Sequence, residues 1–244
     1  MELRRRVRGD KVYRGAYNYY KGETLYAQEE FEVFKDRKEL GITFLAELHS
    51  RVSTGELLTA YIDYTLSEDF VPQKLVVERT LGKLMVKEYY DYNPRKNHLD
   101  YIFISKKGRE HVKVLVPPKF SIMTPTTSTS MLYLKTKKED TTTRNFYPII
   151  TSTNLWTFDK EPVQKTIVAE RTALASENIK IDGHNVTATP YKVYDAVNIE
   201  TGEDAEFIPY VTTQISKHST IPYAVSSQEG IKIQIRYLNN LDKD

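Results

Sequence analysis

The stretch GITFLAELHSRVSTGELLTAYIDYTL, residues 41–66, decides the fold. Ile42, Phe44, Ala46 and Leu48 fall on one face and Thr43, Glu47, His49 and Arg51 on the other, the period-two alternation of a strand with one buried side. The next run repeats it, with Leu58, Ala60, Ile62, Tyr64 and Leu66 opposite Thr59, Tyr61, Asp63 and Thr65. If Val52 faces Glu56, then Ser53-Thr54-Gly55 is a three-residue hairpin loop with glycine where a positive φ is wanted. That register sets Leu48 against Ala60, Ala46 against Ile62 and Phe44 against Tyr64. A slip of one residue would invert every side chain, so the agreement of turn and apolar face fixes the pairing.

Working outward, Asp182-Gly183 is a preferred type I′ loop between Val168–Ile181 and His184–Val197. Its register pairs Ile179 with Val186 and, further along, Leu174 with Tyr191, Thr172 with Val193 and Val168 with Val197. Further strands read at Leu25–Lys35, Gln73–Thr80, Leu84–Tyr92, Tyr101–Ser105, His111–Val116, Phe146–Phe158, Glu206–Ile215, Ile221–Val225 and Ile231–Leu238. Pro117-Pro118 and Pro125 interrupt this rhythm and exclude a central strand there. In the Thr126–Ser130 cluster that follows, Ser128 or Thr129 is placed to cap a short helix running to about Lys137, with Met131 and Leu134 or Lys135 on one side. The expected architecture is all-β: a single large, strongly curved antiparallel sheet, a half barrel or open barrel, with one or two short helices. Residues 1–20 read as a basic N-terminal arm with the first strand, and 21–240 as one half-barrel domain.

Composition narrows the function. None of the 244 residues is cysteine, which excludes disulfides, thiolate metal sites and cysteine nucleophiles. Thirty-five basic against thirty-three acidic side chains leave no global field for a polyanion, so nucleic acid is not an expected partner. Arg4, Arg5, Arg6 and Arg8 could touch phosphate or anionic lipid but read more plainly as a solvated arm, and neither a signal-peptide core nor a transmembrane-length apolar run is read in the sequence. The chain as given reads as cytoplasmic, or periplasmic if a leader has been removed.

The order of elements, a meander leading to Val116-Pro117-Pro118, then Thr127-Ser128-Thr129-Ser130-Met131-Leu132-Tyr133, an Asp-Gly hairpin and a final pair around Pro222 and Gly230, resembles the lipoprotein-carrier-like half-barrel superfamily. The resemblance spans residues 20–240. It implies an apolar concave groove for acyl chains or other hydrophobic ligands, with a small helix across its mouth.

No phosphate cradle, zinc helix, calcium loop or nucleophile elbow is present, and the five histidines stand apart, so neither a metal nor a cofactor is expected. The nearest catalytic candidates are Glu47, His49 and Asp63 on the outer face, where a carboxylate beside histidine poises a general base; a solvated polar face is the plainer reading. Tyrosine outnumbers phenylalanine eighteen to nine, and such amphipathic rings suit a cavity as well as a core. The expected ligand lining is Phe44, Ile62, Tyr64, Met131, Tyr133, Leu134 and Trp156, with the Met131–Leu134 helix as a gate. Three function classes follow: a binder of a hydrophobic small molecule or lipid, an enzyme doing acid–base chemistry in the same cavity, and a scaffold whose sheet edges pair with another chain or a second copy.

Overall fold

A computed structural model of the chain describes residues 9–181, 183–196, 209–216 and 220–242, and the structural statements below concern those residues. The chain is all-β and forms one large sheet of sixteen strands that does not close. Eight strands form an antiparallel meander: β1 (Asp10–Lys21), β2 (Thr24–Asp36), β3 (Gly41–Arg51), β4 (Leu57–Ser67), β5 (Pro72–Leu81), β6 (Leu84–Asn93), β7 (His98–Ser105) and β8 (Gly108–Leu115). The second half consists of β9 (Ser121–Ile122), β10 (Asn145–Thr151), β11 (Val163–Arg171), β12 (Glu177–Ile181), β13 (His184–Asp195), β14 (Pro209–Ser216), β15 (Pro222–Ser227) and β16 (Ile231–Asn240). β16 pairs with β1, so the first and last strands are neighbours and the two halves become one sheet ending at β8 and β9. Only the two-residue β9 lies parallel to its neighbour.

The hairpin of residues 41–66 has the expected register: Phe44 opposes Tyr64, Ala46 opposes Ile62 and Leu48 opposes Ala60. Val52 and Glu56 close the loop through a 3.0 Å backbone bond, and Gly55 takes φ 85°. Phe44, Ala46, Ile62 and Tyr64 are buried on the concave side, while Glu47 and His49 lie on the outer face. The same alternation continues into β1, where Gly15 lets the Phe31 ring lie flat against the backbone; a Cβ there would overlap that ring. The expected division between residues 20 and 21 falls inside β1.

Curvature follows from contacts between the ends of the strand order. Asn154, just past β10, donates to the Tyr101 hydroxyl on β7 at 3.1 Å, and Phe158 packs 6.4 Å from Tyr101 and 6.3 Å from Phe103. The sheet therefore curls until residues 152–162 lie across its seam. Through its interior runs the segment from Val116 to Thr136, with Phe120, Ile122 and Leu132 fully covered. Tyr64 holds that segment: its hydroxyl accepts the Ile122 N–H at 3.2 Å, and burial pushes the phenol up to about 12.

Three local expectations are corrected. The Asp-Gly hairpin has its expected register near the tip, Ile179 to Val186, although Asp182 itself lies outside the described residues. Beyond it the chain leaves the ladder, so that Arg171 opposes Tyr191 and Ala169 opposes Val193, and Leu174 is exposed. The cause is Pro190, whose carbonyl accepts from Thr172 on that edge but which has no N–H to donate there, so the pairing breaks and resumes out of step. Val197, the expected partner of Val168, is also outside the described residues; Tyr194 takes the place.

The strand expected over Phe146–Phe158 stops at Thr151, because Asn154 replaces the ladder with side-chain bonds to its own loop: Nδ2 to the Lys160 carbonyl at 2.8 Å and Oδ1 from the Asp159 N–H at 2.8 Å. The expected helix is two 3₁₀ turns, Thr127–Thr129 and Leu132–Lys135, neither capped by a local hydroxyl. The Ser130 N–H, which a cap at Ser128 was placed to satisfy, bonds the Thr127 carbonyl at 3.1 Å instead, and Glu29 of β2 holds the start of the first turn by accepting the Thr127 and Ser128 N–H groups at 2.8 and 3.0 Å.

Candidate ligand site at the barrel mouth

A cavity of about 310 Å³ opens at the end of the barrel where β2 turns into β3 and β4 into β5. Its walls are largely apolar: Val12, Val33, Ile42 and Phe44 from β1–β3, Phe70 from the β4–β5 turn and Ile221 before β15. Alternation puts the strand residues inward. Two strained turns supply the rest. Leu40 and Phe70 sit at φ 51° and 60°, a left-handed conformation that bulky residues rarely adopt. Asp36 Oδ1 ties the first turn by accepting the Lys38 and Glu39 N–H groups at 2.9 and 3.1 Å. In the second, Ser67 bonds Val71 from backbone and side chain, at 2.9 and 3.2 Å, and Phe70 donates back to Ser67 at 3.0 Å. Both turns thus hold a large apolar side chain at the opening.

Lys35, Asp36, Glu68, Lys135 and Asp242 form the charged part of the lining. Asp242 is held by Arg37 at 3.0 Å. The Tyr13 phenol, also on the wall, is raised by burial and then by the Asp242 and Tyr223 oxygens nearby, so it stays a neutral donor.

Of the residues expected to line a groove, Phe44 does line this cavity. Ile62 and Tyr64 are fully buried beside it in the first core cluster, and Trp156 packs against the same cluster. Met131 and Tyr133 belong to a second cluster with Tyr147 and Ile149, against which Leu134 packs; the Tyr133 ring lies 5.1 Å from that of Tyr147. The fold therefore divides the expected lining between two cores. Lys135, which follows Leu134, reaches the cavity instead.

The outer-face candidates are close together: His49 Nε2 lies 3.4 Å from Glu47 Oε1, and its Nδ1 3.4 Å from the Thr59 hydroxyl. Asp63 lies on the same strand face, two residues from Tyr61, which faces Glu47. Sequence reading passed over a tighter group. Asp100 of β7 receives His98 at 2.9 Å and His111 at 2.8 Å, one on each oxygen. Burial works to raise the Asp100 carboxyl, but the two histidine bonds outweigh it and hold it below the usual range. The i, i+2 spacing of His98 and Asp100 carries the signal, once the Lys106-Lys107 turn is read as setting Ser105 against Gly108. Among the described residues no three histidine, aspartate or glutamate side chains converge to hold a metal.

Two carboxylates face the interior. Glu29 is fully buried, bonded by the Tyr19 hydroxyl as well as by the two 3₁₀-turn amides, and burial raises it further than those bonds lower it. Glu88 is equally buried and receives Arg79 and the hydroxyls of Tyr90 and Tyr101, each of the latter at 2.8 Å. Both lie in register with apolar neighbours, Ala27-Glu29-Phe31 and Val86-Glu88-Tyr90, which is the mark a sequence gives of a buried charge with a partner elsewhere.

Among solved structures, the chain is similar to a β-barrel-like protein of the DUF1849 domain of unknown function from Brucella abortus. The TM-score is 0.56 at 10% identity, over 96% of this chain and 99% of that one. It is also similar to a DUF1089 family protein from Pseudomonas aeruginosa, with a TM-score of 0.49 at 8% identity, over 80% of this chain and 87% of that one. This chain is β-barrel-like. No family model and no curated protein matches its sequence. No helix among the described residues is long and apolar enough to cross a membrane.

Proposed function

We propose that this protein binds a compact hydrophobic small molecule in the mouth cavity. The observation that carries this reading is the cavity itself: about 310 Å³, walled mainly by apolar side chains, in an interior otherwise filled by the Val116–Thr136 segment. The volume lies at the small end of ligand sites. At about 30 Å³ for each water-sized group, it holds roughly ten non-hydrogen atoms. That suits a single short chain or one ring system and is too small for a diacyl lipid. The strained Leu40 and Phe70 support the reading, because unfavourable backbone geometry is kept where it positions a working side chain. So does the resemblance to lipoprotein-carrier-like half barrels, whose concave face receives apolar ligands.

In this reading Phe44 is the cavity wall and Ile62 and Tyr64 hold it in place from the core. Met131, Tyr133 and Leu134 anchor the 3₁₀ turn that carries Lys135 to the rim, and movement of that turn is the gate. Trp156 belongs to the seam and supports the barrel wall.

Calorimetric titration with octan-1-ol tests the site, and Phe70→Asn is the informative variant. Asparagine accepts the left-handed backbone that phenylalanine resists, so the turn survives while the apolar wall is lost. For a half-buried ring, loss of about 1 kcal/mol of contact is expected, roughly a fivefold weakening. No binding by the parent protein, or full-strength binding by Phe70→Asn, removes the mouth cavity as the site.

A further inference from the structure

The charged side chains around the cavity are not equivalent, and the difference specifies the ligand more closely. Asp242 is neutralised by Arg37 at 3.0 Å, and Asp36 is occupied by two backbone N–H groups of its own turn. Lys35 and Lys135 are both exposed, and neither forms an ion pair with any described residue. They come from different parts of the chain, the end of β2 and the second 3₁₀ turn, and the fold brings both to one apolar opening. Tyr13 adds a hydroxyl on the same wall.

We infer that the ligand is a compact monocarboxylic acid whose chain or ring fills the apolar cavity and whose carboxylate is held at the rim by Lys35 and Lys135. This rests on the mouth cavity being the binding site, and it adds the head-group chemistry. An ammonium at a rim is a strongly hydrated charge on a flexible stem. It gains most from an anion whose apolar remainder is already anchored, because the pair then forms without a separate cost of association. The Tyr13 phenol, neutral for the reasons given above, donates to a carboxylate and not to a cation. Glu68 is the one opposing charge on the lining without an ion-pair partner among the described residues, and it makes a cationic head the alternative to be tested.

The test compares three eight-carbon probes of nearly equal size, octanoate, octan-1-ol and octylamine, titrated into the parent protein and into Lys135→Met and Lys35→Met at neutral pH and low salt. Octanoate should bind about three- to tenfold more tightly than octan-1-ol, the range of one to two charge-assisted contacts at a partly exposed rim. Each lysine substitution should lower the ratio of octanoate to octan-1-ol affinity, and molar salt should erase the preference by screening. Both lysines are exposed, and urea denaturation matching that of the parent verifies that the variants keep the fold. If octan-1-ol binds and octanoate binds no better, or if octylamine binds best, the inference is overturned and the cavity reading stands. If none of the three binds the parent protein, the cavity reading fails and this inference with it.

Discussion

Replacing Glu29 with alanine takes away the acceptor that holds the Ser128 N–H at 3.0 Å and the nearer acceptor of the Thr127 N–H at 2.8 Å, leaving Thr127 with the Tyr19 hydroxyl at 3.1 Å. Thr127, Ser128 and Glu29 are all buried, so water does not take over without the interior opening. The Ser128 donor left unpaired costs about 1–3 kcal/mol, and Thr127, still bonded to Tyr19, adds less. Against this stands relief from burying a carboxylate, whose raised pKa says that its hydrogen bonds do not fully offset desolvation. A net loss of about 1–3 kcal/mol is expected for Glu29→Ala. Glu29→Gln removes the charge but keeps an acceptor and the shape, so its loss should be smaller, about 0–2 kcal/mol.

Urea denaturation at neutral pH, with equal m-values as the control for two-state behaviour, measures the difference. Amide exchange then locates it, with Ser128 losing protection in the alanine variant before Thr127, which keeps the Tyr19 hydroxyl, and before the strands. The pH dependence has a defined sign. Since the folded carboxyl titrates above its unfolded value, the native state binds the proton more readily between the two. This group's contribution is therefore fully present below the unfolded value and is lost as pH rises through the folded one. The parent should gain stability relative to Glu29→Gln as pH falls from neutral toward the usual carboxylate range. An alanine variant within about 0.5 kcal/mol of the parent, or a glutamine variant worse than the alanine one, refutes the account of Glu29 as the latch on the interior segment.

Ile62 has no exposed surface and His49 is 47% exposed, so Ile62→Ala should cost about 2–5 kcal/mol and His49→Ala less than about 0.5 by the same denaturation assay; the reverse order would mean that the faces of β4 and β3 are misassigned. Asp100 titrates below its unfolded value, so its contribution is present above that value and is lost as pH falls through the folded one. Asp100→Asn should thus narrow the gap between neutral and acid stability, and an unchanged acid limb would show that the two histidine bonds contribute nothing.

What the sequence made legible, and what it hid, divides along one physical line. The register of residues 41–66 follows from a loop and an alternation lying within the same 26 residues, and both are local. The end of the Phe146–Phe158 strand depends on one asparagine bonding to the backbone five and six residues on, a choice its local context does not force. The helix expected near Thr127 depends on a carboxylate almost a hundred residues earlier in the chain. The candidate site lies at the far end of this scale. Its wall combines β1, β2 and β3, a turn from the middle of the chain, Lys135, Ile221 and Asp242, and only the pairing of β1 with β16 brings the last two to the first. Phe44 alone of the expected lining reaches it: strand alternation gave the inward face of Phe44, Ile62 and Tyr64, but which inward residues stand at the open end and which in the filled core depends on the distant interior segment. The turn that Glu29 bonds and the turn that carries Lys135 to the mouth follow one another on the interior segment. Glu29 and Lys135 are therefore coupled through the interior segment: if the latch at Glu29 is released, the rim lysine should lose its fixed place. The octanoate preference should then weaken in Glu29→Ala even though Glu29 touches no part of the cavity, and a preference retained at full strength would show that the lysine is placed independently of the latch.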